Sequence, residues 1–293
     1  MYLSWAKVAN ILPSLGLAVS GLVLPEDSHA LNRRAMPIWD GFDNYGEHKD
    51  RIIQAFRDMK VMVQTVLDSE NSDCYSHIFD AVINTYFAEG DQPGAKQILS
   101  NMIQPATKFP TDMGSDLIEF IQFNANDALN RCMPRPGSSD IPWGYTIPYL
   151  KSHPHPQIHF CHSRRRNAFA YPDLSAIGCE DFTNGRVSWR MLPLAYVLIH
   201  ELTHTVEISS DVLGGEETTV DEAYGPIDVR KLRDQHRNGM GPLQTADSYA
   251  WFVTEAYWSI QCAHTYGPPE TNQNFWPEVC KDGLGAQIAC FFS

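Results

Sequence analysis

The spacing of apolar positions predicts helices in the first part of the chain. Between residues 50 and 67 apolar side chains recur every three or four positions, which is typical of a helix with one buried face. Two more helices are predicted at residues 75–89 and 91–103, with Gly90 as the break between them. Residues of about 45–105 therefore form a helical N-terminal part.

The middle of the chain carries short β-like runs instead. Residues 145–150 and 157–161 fit strands, and the prolines around both runs favour edge positions in a sheet. Residues 117–123 fit either a strand or a helix. Two later segments, residues 192–207 and 247–264, have the apolar stripes of helices. The expected fold class is α+β, mainly helical with a small and mostly antiparallel sheet.

The N-terminus has the features of a secretory signal. Lys7 precedes a largely apolar stretch at residues 8–24, and small residues suit cleavage after residue 20, or as late as residue 30. A membrane anchor is the alternative, but the stretch contains two prolines and lacks the roughly 20 clean apolar residues of a span. We expect residues 1–20 to be removed and residues 35–293 to form a single domain of a secreted protein, not membrane-bound after cleavage.

Charge and cysteine content narrow the partners and the compartment. The formal net charge of −13 argues against nucleic acid as a partner, because phosphates would be repelled. Seven cysteines in a secreted chain predict disulfides and leave one cysteine over. We expect the pairs Cys161–Cys179 and Cys74–Cys132. Since no CxxC spacing occurs, a thiolate zinc site is not expected.

Residues 200–204 read HELTH, which is an HExxH motif within the predicted helix at residues 192–207. Histidines four positions apart project from one helical face, so His200 and His204 can bind the same Zn²⁺ ion. Glu201 can reach a water at the metal without being a ligand, as a general base must. The alternative is a helix whose polar residues pair with one another.

A catalytic zinc needs a third protein ligand and one open position. Residues 219–225 read TVDEAYG and offer Asp221 as a carboxylate ligand and Tyr224 as a phenol that can stabilise an oxyanion. Glu216 and Glu222 are alternative ligands. Four histidines between residues 153 and 162 form either a second metal site or, as we expect, a solvated loop that leads into an edge strand.

Three motifs, HELTH, TVDEAYG and ADSY at residues 246–249, together resemble the aspzincins, the deuterolysin and peptidyl-Lys metalloendopeptidase group of zinc peptidases. The resemblance covers about residues 158–257 and implies a zincin-like fold. It also implies that His200, His204 and Asp221 bind one Zn²⁺ per chain, that Glu201 is the base, and that Tyr224 assists the transition state.

The resemblance bears on specificity as well. Lysine-selective members read the substrate with an Asp that is followed three residues later by a Glu. Asp247 matches the first of these and is expected to bind substrate, but position 250 is an alanine. Strict selectivity for lysine is therefore not expected.

The sequence as a whole predicts a secreted zinc metalloendopeptidase that acts on protein or peptide substrates. An edge strand at residues 157–161 would align an extended peptide by strand addition. The alternative is a secreted zinc-binding protein with little or no peptidase activity. Residues 247–257 are similar to secreted fungal antigens of that kind, whose HExxH motifs are altered. The retained Glu201 favours the enzyme.

Overall fold

The structure, a computed structural model, describes residues 37–104, 120–133, 142–148, 155–162, 167–182 and 184–271. All of these residues belong to one compact unit, Met36–Ser293. Within them, seven α-helices accompany a four-stranded sheet. The predicted signal segment and the last two cysteines lie outside the described residues, so the expectations about them stay predictions.

The sheet contains β1 (Ile38–Asp40), β2 (Gln122–Asn124), β3 (Gly144–Ile147) and β4 (Gln157–Phe160), in the order β1-β2-β4-β3. The pairs β1–β2 and β2–β4 are parallel, and only β3 runs antiparallel to β4. The expectation of a mostly antiparallel sheet was therefore wrong. The connection from β1 to β2 is long, as a parallel pair requires, and its described part contains three helices.

Strand β4 is not an edge strand, contrary to the prediction for residues 157–161. It is hydrogen-bonded to β2 on one side and to β3 on the other. Pro156 precedes the strand, and its carbonyl accepts a hydrogen bond from the amide of Gln122 at 3.0 Å, so the proline extends the ladder without interrupting it. Strand β3 lies at the edge, because the described residues pair with it on the β4 side alone.

Three helices form the N-terminal part, as predicted: α1 (Gly46–Ser69), α2 (Ser76–Tyr86) and α3 (Gln92–Ile103). Helix α1 contacts both α4 (Leu194–Thr203) and α7 (Ala246–Gln261). Its fully buried positions follow the predicted apolar stripe and include Ile52, Met59, Met62, Val63 and Val66. No helix within the described part of the chain combines the length and apolar character that a membrane crossing demands.

The predicted helix at residues 192–207 is divided in the structure. Helix α4 ends at Thr203, and α5 (Val206–Leu213) begins after a two-residue break. Hydroxyl groups explain the division, because Thr205 donates to the carbonyl of Leu202 at 2.7 Å and Ser209 donates to that of Thr203. Side chains of this kind compete with the helical ladder for carbonyl groups. The break places His204 at the end of α4.

Helix α7 forms the centre of the core. Every residue from Ala246 to Ile260 is buried, and α7 contacts α1, α2, α4 and α6 (Gly225–Leu232). Trp251 is fully buried between the rings of Trp189 and Tyr196, and it packs behind the HExxH helix. Because α7 is enclosed on all sides, side chains at its N-terminal end are held in a rigid setting.

Both predicted disulfides were wrong. The structure pairs Cys132 with Cys161 and Cys179 with Cys262, and Cys74 is an exposed free thiol. Cys161 follows β4 directly and meets Cys132 beside Tyr145 in a small buried cluster. Cys179 reaches Cys262 at the C-terminal end of α7. Neither pairing can be predicted from the spacing of the cysteines in the sequence, because each depends on how the chain crosses the sheet and α7.

Removing each disulfide should cost stability, and the longer closed loop should cost more. The Cys179–Cys262 link spans 83 residues and the Cys132–Cys161 link spans 29. The chain-entropy account then gives about 4.5 and about 3.6 kcal/mol at 25 °C. We expect a Cys179→Ala/Cys262→Ala variant to unfold at lower denaturant concentration than Cys132→Ala/Cys161→Ala. Peptide mapping that recovered a Cys161–Cys179 link would contradict the assignment.

Candidate metal centre

Helix α4 brings His200 and Glu201 into the interior. Exposure is 8% for His200 and 3% for Glu201, and the whole helix is buried. His204 follows the last helical residue and keeps the helical spacing, so the Nε2 atoms of the two histidines lie 3.4 Å apart. The HExxH segment therefore presents two imidazole nitrogens to a single point, as its spacing predicts.

The loop that carries Asp221 is fixed to α4 and to the start of α7. The hydroxyls of Thr203 and Thr219 lie 2.8 Å apart, and Val220 forms backbone hydrogen bonds with Gln244 and Ala246. These contacts hold the next residue, Asp221, over the two histidines. The loop is thus positioned by the hydroxyl contact to α4 and the backbone pairing of Val220, and not by Asp221 itself.

The three donor atoms lie close to, and slightly inside, the separation of ligands around a tetrahedral zinc ion. The Oδ1 atom of Asp221 lies 3.0 Å from Nε2 of His200 and 3.2 Å from Nε2 of His204. Ligands at about 2.0–2.2 Å from one tetrahedral Zn²⁺ are about 3.3–3.6 Å from each other. The side chain of Asp221 is 43% exposed, so this cluster reaches solvent and leaves room for a fourth ligand. The residues present therefore fit zinc.

The outer nitrogen of each histidine also has an acceptor. Nδ1 of His204 lies 2.8 Å from the carbonyl oxygen of Thr219, and Nδ1 of His200 lies 3.2 Å from Oδ1 of Asp247. Acceptors at these positions place the ring proton on Nδ1 and leave Nε2 free to bind a metal. Both rings are thus oriented towards Asp221.

The charges around the histidines favour a cation. Burial lowers the pKa of His200, but hydrogen bonds to the carboxylates of Asp221 and Asp247 reverse this effect and raise its pKa well above the ordinary value. Burial likewise opposes ionisation of Asp221, yet hydrogen bonds from His200 and His204 hold its pKa far below the usual range. Protons and a metal ion therefore compete for the same cluster.

Glu201 is held by the edge strand of the sheet. The hydroxyl of Thr146 in β3 lies 2.8 Å from the Glu201 carboxylate and 2.9 Å from its carbonyl oxygen. Gly144 also faces this carboxylate, because a Cβ atom at Gly144 would lie 2.9 Å from Oε1 of Glu201. Burial raises the pKa of Glu201, and the neighbouring histidines oppose the rise. A raised pKa suits a group that accepts a proton near neutral pH.

Tyr224 stands at the open side of the cluster. It is 56% exposed, and its ring stacks on that of His200 with centroids 6.0 Å apart and planes 15° apart. Partial burial and the Asp221 carboxylate both raise the pKa of Tyr224. The phenol therefore keeps its proton and can donate a hydrogen bond into the site.

Asp247 is not placed to bind substrate, contrary to the prediction. It is 2% exposed, and its carboxylate accepts hydrogen bonds from the amide of Gly225 at 2.6 Å and from the hydroxyl of Tyr196, besides contacting His200. Ala250 is fully buried in α7, so its position does not line a substrate pocket either. An acidic pair that reads lysine is absent from these two positions.

The alternative metal ligands have other partners or other surroundings. Glu222 is hydrogen-bonded to Asn238 at 2.9 Å, and Glu216 is exposed. A second group, Cys132, Cys161 and His159, also comes close together, but its two sulfur atoms are joined in a disulfide and are not ligands. His159 is buried against the carbonyl of Asn124, so it does not belong to a solvated loop as predicted.

Sequence reasoning missed four groups around the site. Tyr196 lies one helical turn before His200, so its place on the same face could have been inferred from the spacing. The supporting roles of Gly144, Thr146 and Thr219 depend on contacts between distant parts of the chain. No local pattern indicates such contacts.

Comparisons with known proteins give little guidance. No model of a known protein family matches the chain, and no curated protein matches it. Among solved structures, the chain is similar to the "zinc peptidase from Grifola frondosa", with 14% identity and a TM-score of 0.43. The match covers 72% of this chain and 96% of that one. This likeness is too distant to carry a conclusion about activity, so the proposed function depends on the geometry of the site.

Zinc binding should depend on Asp221 and not on its acidic neighbours. We expect one zinc per chain in the parent protein, measured by metal analysis and by competition with a chromophoric chelator. Loss of a group that only orients a ligand weakens zinc binding about 10- to 100-fold, so Asp221→Ala should exceed that loss. Glu222→Ala and Glu216→Ala are matched controls and should bind like the parent. Strong loss in either control would move the third ligand away from Asp221.

Proposed function

We propose that this protein is a secreted zinc-dependent endopeptidase. The observation that carries the proposal is the convergence of three donor atoms, 3.0–3.4 Å from one another, beside the buried carboxylate of Glu201 on the helix of the two histidines. A site of three protein ligands with an open fourth position is typical of catalytic zinc. The two disulfides fit an oxidising, extracellular compartment.

The residues of the site can share the steps of peptide hydrolysis. When bound, zinc would lower the pKa of a water molecule and polarise the scissile carbonyl. Glu201 would accept a proton from the attacking water and then deliver it to the nitrogen of the leaving amine. Tyr224 would donate a hydrogen bond to the oxygen that gains negative charge during the attack. Each proton taken from water thus ends on a product.

The substrate would lie along β3, not along β4 as the sequence suggested. Strand β3 is at the edge of the sheet and carries Thr146, which contacts Glu201. An extended peptide that added to this edge would pass directly beside the base and the metal ligands. Gly144 would allow the close approach, because this residue has no side chain between the strand and Glu201.

A secreted zinc-binding protein without turnover is the second candidate. It would need the same three donors but neither Glu201 as a base nor Tyr224 as a donor. The partner of Glu201 on β3 and the exposed Tyr224 phenol favour the enzyme, because neither is required for holding a metal. Variants of Glu201 separate the two functions.

Glu201→Gln should abolish most hydrolysis and keep the metal. The amide preserves the shape of the side chain but cannot accept a proton at neutral pH, so turnover should fall about 10²–10⁴-fold. Bound zinc should stay near one per chain, because Glu201 is not a ligand. Hydrolysis of a casein-type substrate and zinc content are measured on the same samples.

His204→Ala serves as the contrasting variant and should lose both zinc and activity. Chelator treatment of the parent should stop hydrolysis, and added zinc should restore it. A parent protein that binds zinc tightly yet cleaves nothing would support the zinc-binding alternative. So would a Glu201→Gln variant as active as the parent.

Selectivity for lysine should be weak. The Asp247 carboxylate is already hydrogen-bonded inside the protein, and Ala250 is buried. The kcat/KM for peptides with Lys after the scissile bond should therefore lie within about 10-fold of that for peptides with Leu or Ala there. Ala250→Glu should lower the melting temperature and not sharpen selectivity, since it buries a charge in α7. Cleavage before lysine alone by the unmodified protein would refute this prediction.

A further inference from the structure

We infer that Asp247 is a positioning residue that couples the orientation of His200 to the placement of Tyr224. This inference rests on the proposed zinc site and assigns Asp247 a role within it. The carboxylate lies between the metal helix α4 and the turn that precedes α6, and each of its oxygens contacts a different side of the site.

The first oxygen acts on the metal helix. Oδ1 of Asp247 lies 3.2 Å from Nδ1 of His200 and accepts a hydrogen bond from the Tyr196 hydroxyl. Tyr196 and His200 are one turn apart on α4, so a single oxygen atom fixes two side chains of the same helical face. The ring of His200 is thereby turned so that Nε2 faces Asp221.

The second oxygen acts on the turn that carries Tyr224. Oδ2 accepts a hydrogen bond at 2.6 Å from the amide of Gly225, which belongs to the peptide plane directly after Tyr224. Gly225 has a φ of +78°, and a Cβ atom there would lie 3.3 Å from the ring of Trp189. The backbone conformation at this point thus excludes most side chains, and the hydrogen bond from Asp247 holds it.

The location of Asp247 makes such a role effective. It belongs to the first turn of α7, the helix that is buried from Ala246 to Ile260. A carboxylate is stabilised at a helix N-terminus, and this one is fixed by the core and shielded from water, with an exposure of 2%. Movement of either the His200 ring or the Gly225 amide would therefore break a hydrogen bond to the Asp247 carboxylate.

A conservative substitution separates this role from simple packing. Asp247→Asn keeps the volume, but an amide cannot accept hydrogen bonds on both of its polar atoms. With its oxygen towards His200, the NH₂ group faces the amide of Gly225. In the reverse orientation, it faces Nδ1 of His200. One of the two contacts is lost in either case.

The test measures zinc affinity without any peptide. Asp247→Asn should bind zinc about 10- to 100-fold more weakly than the parent. Its Co²⁺-loaded form should show altered visible absorption bands, which a change confined to packing would not produce. Asp228→Asn, on the exposed face of α6, is the matched control and should bind like the parent. Affinity within twofold of the parent, with unchanged bands, would overturn the inference.

Two further measurements keep the inference testable. If Asp247→Asn does not fold, Tyr196→Phe removes a single hydrogen bond to the same oxygen and should weaken zinc binding about 2- to 10-fold. In a folded Asp247→Asn protein, adding Tyr224→Phe should lower kcat less than it does in the parent, because Tyr224 is already displaced. If the effects of the two substitutions on kcat are fully additive, Asp247 is not coupled to Tyr224. A parent without hydrolysis would refute the proposed function and leave the zinc-affinity result intact.

Discussion

Contact of His200 and His204 with neighbouring carboxylates is the interaction on which the site depends. His200 is buried at a place where its charged form would be costly, yet Asp221 and Asp247 approach it from opposite sides and favour positive charge there. Such a cluster is stable only when its carboxylates are held firmly, since an unpaired buried charge is expensive. The loop at residues 219–225 and the first turn of α7 provide this support through backbone hydrogen bonds.

The same constraint explains how the sheet and the helices cooperate. Glu201 belongs to α4 but is positioned by β3, so the proposed base and the proposed metal ligands are held by different layers. A proton acceptor beside the metal ligands needs this separation, because it must stay close to the cluster without joining it. The exposed Tyr224 lies on the solvent side of this arrangement, where the proposed mechanism requires a substrate carbonyl to enter.

The sequence predicted the parts of the site that depend on local spacing. The positions of His200 and His204 follow from helical geometry, and the helices of the N-terminal part follow from their apolar stripes. The choice of Asp221 as the third ligand followed from the resemblance to a known motif. The role of Asp247 was misjudged, because motif matching gives the residue but not the direction of its side chain. The predictions of sheet pairing and of the disulfides were wrong for a related reason, since both features depend on contacts between distant segments.

The proposed function requires that His200, His204 and Asp221 form a zinc site with one open position. Zinc-edge anomalous diffraction from crystals of the zinc-loaded protein tests it most directly. One strong peak is expected, about 2.0–2.2 Å from both Nε2 atoms and from a carboxylate oxygen of Asp221. The fourth ligand should be a solvent molecule on the side of Tyr224. A zinc ion bound by Glu216 or Glu222, or closed off by a fourth protein ligand, would contradict the account.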